Sequence, residues 1–240
     1  MEIRRFFVEP SDINGTFVTL TGDEFLHMVK VLRYKGGFKA IVCANDGVER
    51  LCTVKEIGKD FATLVIDKET AVDVKKAHVT LFAGLLKNNK LDFVFQKAVE
   101  LGVDKIVPFV SANCAETKFS QDRAEKIALE AAKQCGSAYL SKVGALENFD
   151  AVLSSFKDFD TVLFAYENEK KNRIKDCLCK GKNIAFVVGP EGGFTQEETD
   201  KAKECGATII TLGRRILRAE TASIVSCALL LDHLGELDYE

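Results

Sequence analysis

The chain has three prolines and three histidines among 240 residues, and its 33 basic residues nearly balance 36 acidic ones, leaving a formal charge of −3. So little proline leaves few forced breaks in helices or strands. His27, His78 and His233 stand far apart, and Cys177-x-Cys179 is the nearest approach to a paired thiol motif, so no zinc-site spacing is present. The charge balance removes the global signature of a histone-like protein and confines any nucleic-acid site to a local patch. No window of about 18 uninterrupted apolar residues occurs, and Met1-Glu2-Ile3-Arg4-Arg5-Phe6-Phe7 lacks the apolar run and small-residue cleavage site of a leader. The expectation is a soluble cytoplasmic protein with no metal and no membrane. Neither GxGxxG nor GxxxxGK[ST] appears, and there is no internal repeat or low-complexity tract.

What is present is enough apolar side chain for a sizeable core, at 47% of residues. The eight cysteines are scattered, most within apolar stretches, and read as reduced, mostly buried thiols. From residue 1 to about 70, strand-like runs at 16–20, 38–44, 48–54 and 61–66 alternate with turns. Asn45-Asp46-Gly47 predicts a hairpin in which Asp-Gly supplies the positive φ of a two-residue turn. Residues 22–33 interrupt this pattern with apolar positions 25, 28, 29 and 32 at helical period. The first part is therefore a small barrel-like β domain carrying one short helix. Beyond the charged stretch 68–76, strands are expected at 78–86, 105–110, 160–166, 183–188 and 207–212, separated by helical segments such as 91–101, 124–135 and 196–205, with a last helix through 234. That is α/β grammar, with helices covering a largely parallel sheet, and it places the domain boundary near residue 72.

Three segments carry the residues of chemical interest. The strand at 184–188 runs into Gly189-Pro190-Glu191-Gly192-Gly193-Phe194-Thr195, where glycines let a ligand approach bare backbone and Thr195 with Glu198 makes a T-x-x-E capping box. An ordinary strand-to-helix loop explains the same residues. The next strand leads into Gly213-Arg214-Arg215-Ile216-Leu217-Arg218-Ala219-Glu220-Thr221-Ala222. Two such loops on one sheet edge resemble the crevice where open α/β sheets bind ligands, and three cations near a helix start oppose the helix dipole, which favours a functional reason for them. The third segment, 86–103, begins as a basic loop and ends at Gly102, with Phe93, Ala98 and Leu101 expected inward and Asp92, Gln96, Lys97 and Glu100 on or beside the other face. A charged face of this kind reads equally as a solvated surface.

Taken together, His27-x-x-x-Val31-Leu32-Arg33, QKAVELGV at 96–103, Gln134-Cys135-Gly136, GPEGGF at 189–194 and LGRRILRAETA at 212–222 resemble the RsmE ribosomal RNA methyltransferases of the SPOUT superfamily. The resemblance covers nearly the whole chain in order. GPEGGF followed by LGxRxLRxETA is highly specific, whereas the other elements alone are weak. It implies an RNA-binding PUA-like β-barrel at residues 1–71, then a SPOUT (α/β-knot) methyltransferase domain at 72–240 with a C-terminal trefoil knot. It also implies a homodimer, S-adenosylmethionine as methyl donor, and methylation of N3 of a uridine in 16S ribosomal RNA, presented as RNA or as an assembled small subunit. A knot runs against the general rules of chain topology, so only the resemblance suggests it.

Carried onto this sequence, the donor loops fall on Gly189, Pro190, Glu191, Gly192 and Gly193 and on Leu212, Gly213, Ile216, Leu217 and Ala219. Apolar side chains and backbone hydrogen bonds can hold adenine without a phosphate cradle. Methyl transfer needs in-line approach of the uracil nitrogen and stabilisation of the developing anion, which points to Arg218 first and Arg215 second, with Glu191 or Glu220 as proton acceptor. Glu220 also has a structural reading, as an acidic residue at a helix start. RNA contact is expected from Arg4, Arg5, His27, Lys30, Arg33 and Lys35, extended by Lys87 and Lys90, although His27 reads equally as a packed helix residue. Asn113 and Ser137 depart from the family pattern, standing where arginine is usual. They motivate two alternatives, an RNA-binding ribosome-assembly factor with weak or no methyl transfer, and a methyltransferase for a different RNA site. A generic Rossmann nucleotide enzyme lacks its phosphate motif here.

Overall fold

Alternating burial along the N-terminal strands shows which face of each meets a core. In the computed structural model, which describes residues 3–177, 179 and 181–238, these strands are β1 (Arg4–Phe7), β2 (Ile13–Asn14), β3 (Phe17–Leu20), β4 (Lys39–Cys43), β5 (Val48–Ile57) and β6 (Ala62–Ala71). They form one sheet in the order β1-β4-β5-β6-β3-β2, antiparallel except for the parallel β1–β4 pair. The sheet curls round Phe6, Val18, Leu20, Val42, Cys52 and Leu64, and register shifts at Leu51/Cys52 and Val54/Glu56 bend its two longest strands. Helix α1 (Gly22–Leu26) continues as a π-helical turn (His27–Val31) and drops Phe25 and Met28 into that core. The apolar spacing predicts helix here but not the change of helix type, because both geometries bury positions 25 and 28.

The hairpin between β4 and β5 differs from the expected two-residue turn. Positive φ falls on Asn45 and Gly47, at 56° and 76°, and not on Asp46. Asp46 instead accepts the Val48 N–H at 3.2 Å and two guanidinium hydrogen bonds from buried Arg50, at 2.6 and 3.1 Å. The Arg50 guanidinium holds the Asp46 carboxyl below its ordinary range.

Residues Ala132–Leu140 group with Met1–Val74 as one compact unit, while Lys75–Ala131 and Ser141–Glu240 make the other. A single boundary near residue 72 does not anticipate that excursion. Within the first unit the Lys133 ammonium pairs with Glu24, the Leu140 N–H donates to Asn45 Oδ1 at 2.6 Å, and the Ser137 hydroxyl donates to the Tyr139 carbonyl at 2.7 Å.

The second unit contains β7 (His78–Gly84), α2 (Lys90–Leu101), β8 (Lys105–Val110), the start of α3 (Gln121–Cys135), β9 (Lys142–Val143), β10 (Glu147–Asn148), α4 (Phe149–Ser155), β11 (Thr161–Ala165), β12 (Asn183–Val188), α5 (Gln196–Glu204), β13 (Thr208–Ile210) and α6 (Ala219–His233). Every strand pair is parallel, in the order β10-β8-β7-β12-β11-β13 with β9 beside β8. Ile184 to Val188 are all buried, the continuous apolar run of a strand covered on both faces. Helix α6 packs against α2, β7 and β12.

Helix α2 buries Leu91, Val94, Phe95, Ala98 and Val99, which is one helical stripe. Phe93 was expected inward, but it is 47% exposed and carries the Lys97 ammonium over its ring, while Leu101 is only half-buried. At about 100° per residue, Phe93 falls well off the stripe that Ala98 belongs to. All eight cysteines are free thiols; Cys43, Cys52 and Cys227 are buried, whereas Cys135 and Cys205 are exposed. The apolar settings overstated their burial, because an amphipathic segment also has an outer face. Among the described residues no group of His, Cys, Asp and Glu is placed to hold a metal ion, and no helix is long and apolar enough to cross a membrane.

Candidate active site

The adjacent parallel strands β12, β11 and β13 end at one sheet edge, and the loops leaving them line a cavity of about 530 Å³. Carboxyl ends of parallel strands are where an open sheet leaves room for a ligand. The loop after β12 is shaped by its glycines and anchored by its phenylalanine. Phe194 is buried against Phe109, Phe149 and Phe164, with 4.2 Å between the Phe164 and Phe194 ring centres. A Cβ on Gly189 would stand 2.9 Å from the Phe194 ring, and one on Gly84, at the end of β7, would stand 2.5 Å from Pro190 N. Gly193 turns at φ 65°, where its N–H closes on the Pro190 carbonyl at 3.0 Å. The expected capping box is present: Thr195 Oγ1 accepts the Glu198 N–H at 3.1 Å and Glu198 Oε2 accepts the Thr195 N–H at 2.9 Å. The second oxygen of buried Glu198 accepts the Ala112 N–H at 2.8 Å.

From the other side, the loop after β13 brings Leu212, Gly213, Arg214, Arg215, Ile216, Leu217 and Arg218 to the cavity. Arg218 is the N-cap residue of α6, in extended conformation, so its guanidinium and the helix's amino end share this edge. Ile216 is 87% exposed, an unusual setting for a β-branched apolar side chain. The third wall, Ala165 at the end of β11 with Tyr166 and Glu167 after it, carries no glycine or motif, and sequence reasoning missed it. The only signal for it was its place at the end of a strand in the same parallel sheet. Glu167 Oε1 lies 2.6 Å from where a Cβ on Gly193 would be, so the carboxylate reaches the glycine loop.

All ten residues assigned to donor loops line this cavity, as do Arg215, Arg218 and Lys90. Glu191 lines it too, but its Oε1 accepts the Lys87 N–H and the Lys90 ammonium, each at 3.1 Å. Partial burial raises its pKa, yet the hydrogen bonds from Lys90 and Lys87 outweigh this and hold it below the ordinary carboxylate value. A carboxylate so held is a weak base. Glu220 lies outside the lining, and its Oε2 is buried with no hydrogen-bond partner among the described residues. Asn113 donates from its amide nitrogen to the carbonyls of Gly192 and Gly193, at 3.2 and 3.3 Å.

Lys87 is exposed, and its N–H ties it to Glu191 of the lining. Arg4, Arg5, His27, Lys30, Arg33 and Lys35 belong to the first unit. Arg5 is turned away from solvent: its side chain is 8% exposed, pairs with Glu49 at 2.7 Å and donates to Cys43 Sγ at 2.9 Å. His27 is half-buried with its ring edge against Phe6, while Arg4, Lys30, Arg33 and Lys35 are exposed.

A family described as "RNA methyltransferase PUA domain" matches residues 20–67, and one described as "RNA methyltransferase domain" matches residues 73–231. The chain is 33% identical over 240 residues to "Ribosomal RNA small subunit methyltransferase E" of Bacillus subtilis (strain 168), covering 92% of this chain and 93% of that protein. It is 34% identical over 227 residues to the protein of the same name from Mesomycoplasma hyopneumoniae (strain 232), covering 92% and 95%. Among solved structures, the ribosomal RNA small subunit methyltransferase E of Neisseria gonorrhoeae bound to S-adenosyl methionine superposes with a TM-score of 0.86 at 27% identity, over 96% of this chain and 98% of that one. With both domains matched in order and relatives spanning almost their full length, the chain belongs to the ribosomal RNA small subunit methyltransferase E family.

Proposed function

We propose that this protein transfers the methyl group of S-adenosylmethionine to N3 of a uridine in 16S ribosomal RNA. The observation that carries the reading is a single cavity lined by both glycine-containing motifs together with Arg214, Arg215 and Arg218, none of which forms an ion pair among the described residues. Its volume suits a small molecule of nucleoside size. The lining fits the donor's chemistry: Leu212, Ile216, Leu217 and Ala219 offer apolar surface to a base, the glycine loops offer backbone hydrogen bonds, and the Glu167 carboxylate complements a cation. The bound donor supplies an electrophilic methyl on its sulfonium.

The protein's own residues then position the acceptor and stabilise charge. Uracil N3 becomes anionic as its proton passes to solvent at the exposed cavity mouth, and a guanidinium at the cavity edge lowers the cost of that charge. Arg218 takes this role and Arg215 supports it. Glu191, engaged by Lys87 and Lys90, shapes the loop and takes no proton. The exposed cations Arg4, Lys30 and Arg33 of the first unit supply salt-dependent phosphate contacts, with Lys87 beside the cavity. The enzyme works in the cytoplasm as a homodimer. Support for dimerisation comes from α6, which leaves Leu229 46% exposed and Ile224 and Val225 only partly buried, beside the α2 that carries exposed Phe93.

The test uses purified protein, tritiated methyl donor and small ribosomal subunits from cells lacking this modification, followed by nucleoside analysis. Labelled N3-methyluridine at one site is expected. Donor binding with no label in the RNA would overturn the transfer and leave the RNA-binding assembly factor standing; label on another nucleoside would overturn the target alone.

A further inference from the structure

We propose that Asn113 is a positioning residue of the donor site, bracing the 189–193 loop from behind. The proposal rests on reading the cavity as the donor site. Asn113 follows β8 in a tight turn that the Cys114 N–H closes on the Ser111 carbonyl at 3.1 Å. Its amide nitrogen has two hydrogens, and both are used, on the carbonyls of Gly192 at 3.2 Å and Gly193 at 3.3 Å. The approach is as close as the backbones allow: a Cβ on Gly192 would stand 2.7 Å from Asn113 Cβ and 2.8 Å from its carbonyl oxygen.

Gly192 and Gly193 line the cavity and Asn113 does not, so any effect of Asn113 on a ligand passes through the loop. Two consecutive glycines carry more backbone freedom than any other pair, and Gly193 already sits at φ 65°. Fixing both carbonyls from outside orients the peptide groups that face the cavity. The same 111–114 turn secures the far end of the loop, because the Ala112 N–H bonds to Glu198, whose other oxygen caps Thr195. The short asparagine stem suits this separation, and its neutral amide adds no charge behind a site that must accept a cationic donor.

The test compares Asn113→Asp, which keeps the shape but sets an oxygen against two carbonyl oxygens, with Asn113→Ala. Binding of S-adenosylhomocysteine is measured by calorimetry, and KM for donor and for RNA separately in the transfer assay. We expect donor-site affinity to fall about tenfold in both variants, the scale of about one net hydrogen bond, with donor KM rising in parallel. kcat, RNA KM and melting temperature stay within twofold or within a degree or two of the parent. Unchanged affinity in both variants overturns the brace, as does an effect confined to RNA KM and its salt dependence. If Asn113→Asp disturbs folding, Asn113→Ala carries the test. A parent protein that binds no S-adenosylhomocysteine overturns the donor-site reading instead, so the two failures are distinguishable.

Discussion

Residues of one type do opposite work in this protein, and their surroundings decide which. Arg5 is buried, paired with Glu49 and bonded to a thiol, so it belongs to the architecture of the first unit. Arg218 is exposed at the cavity edge, at the N-cap of a helix whose dipole disfavours it. Removing a cation from that position relieves the dipole by about 0.5 kcal/mol. Arg218→Ala should therefore melt at or slightly above the parent temperature while its kcat falls about 100-fold, the scale of losing one charge-stabilising donor. Affinity for S-adenosylhomocysteine should stay within threefold, since the guanidinium is assigned to the acceptor. Near-normal turnover with the fold intact would remove Arg218 from the reaction. Sequence alone gave both arginines an outward-facing role, Arg218 in the transfer and Arg5 toward RNA, because both occur in basic clusters, and only burial sets Arg5 apart.

At the scale of elements, the Asp46–Arg50 pair of the β4–β5 hairpin gives the clearest pH signature. Hydrogen bonds from Arg50 lower the Asp46 pKa from its ordinary 3.8, so the pair's contribution is complete above that value and disappears as pH falls through the depressed folded value. Asp46→Asn should lower the melting temperature at pH 7, and the gap should close as the pH is lowered below about 4; a gap that persists unchanged would mean that charge is not what Asp46 contributes. Long periodic elements were legible: α2, α5, α6 and the five main parallel strands lie within a few residues of where apolar spacing put them. Less legible were β1, too short at four residues to show a period, and α4, whose seven residues follow a strand without a break. The site was half legible for the same kind of reason. Its glycine loops announce themselves because backbone constraints demand glycine, whereas Tyr166 and Glu167 enter the cavity only through strand order, which no local pattern encodes. The bonds from Asn113 to Gly192 and Gly193 link residues about 80 positions apart and were likewise invisible.

For the whole molecule, the open question is what covers α6. The buried face of α6, with Ala222, Ser223, Ser226, Cys227, Leu230 and Leu231, meets α2, β7, β12 and the turn at 174–176, while Ile224, Val225 and Ala228 are only partly buried. Leu229 is left 46% exposed and Phe93, on the neighbouring helix, 47% exposed. Solvent there would cost the hydrophobic contribution of both side chains, about 25 cal/mol for each Å² that a partner removes from water. In the proposed homodimer a second copy using the same face would close the surface by two-fold symmetry, with each α6 and α2 meeting their counterparts. A stable contact of this kind buries at least about 1,200 Å² in total, so it must extend well beyond these two residues, and it leaves no unpaired apolar face to drive open-ended association. Light scattering of the parent at micromolar concentration should give twice the chain's mass. Leu229→Lys, which sets two ammonium groups against that interface, should give the mass of one chain while far-ultraviolet circular dichroism stays native-like. A parent that runs as a single chain across the micromolar range would show that some other partner covers this face.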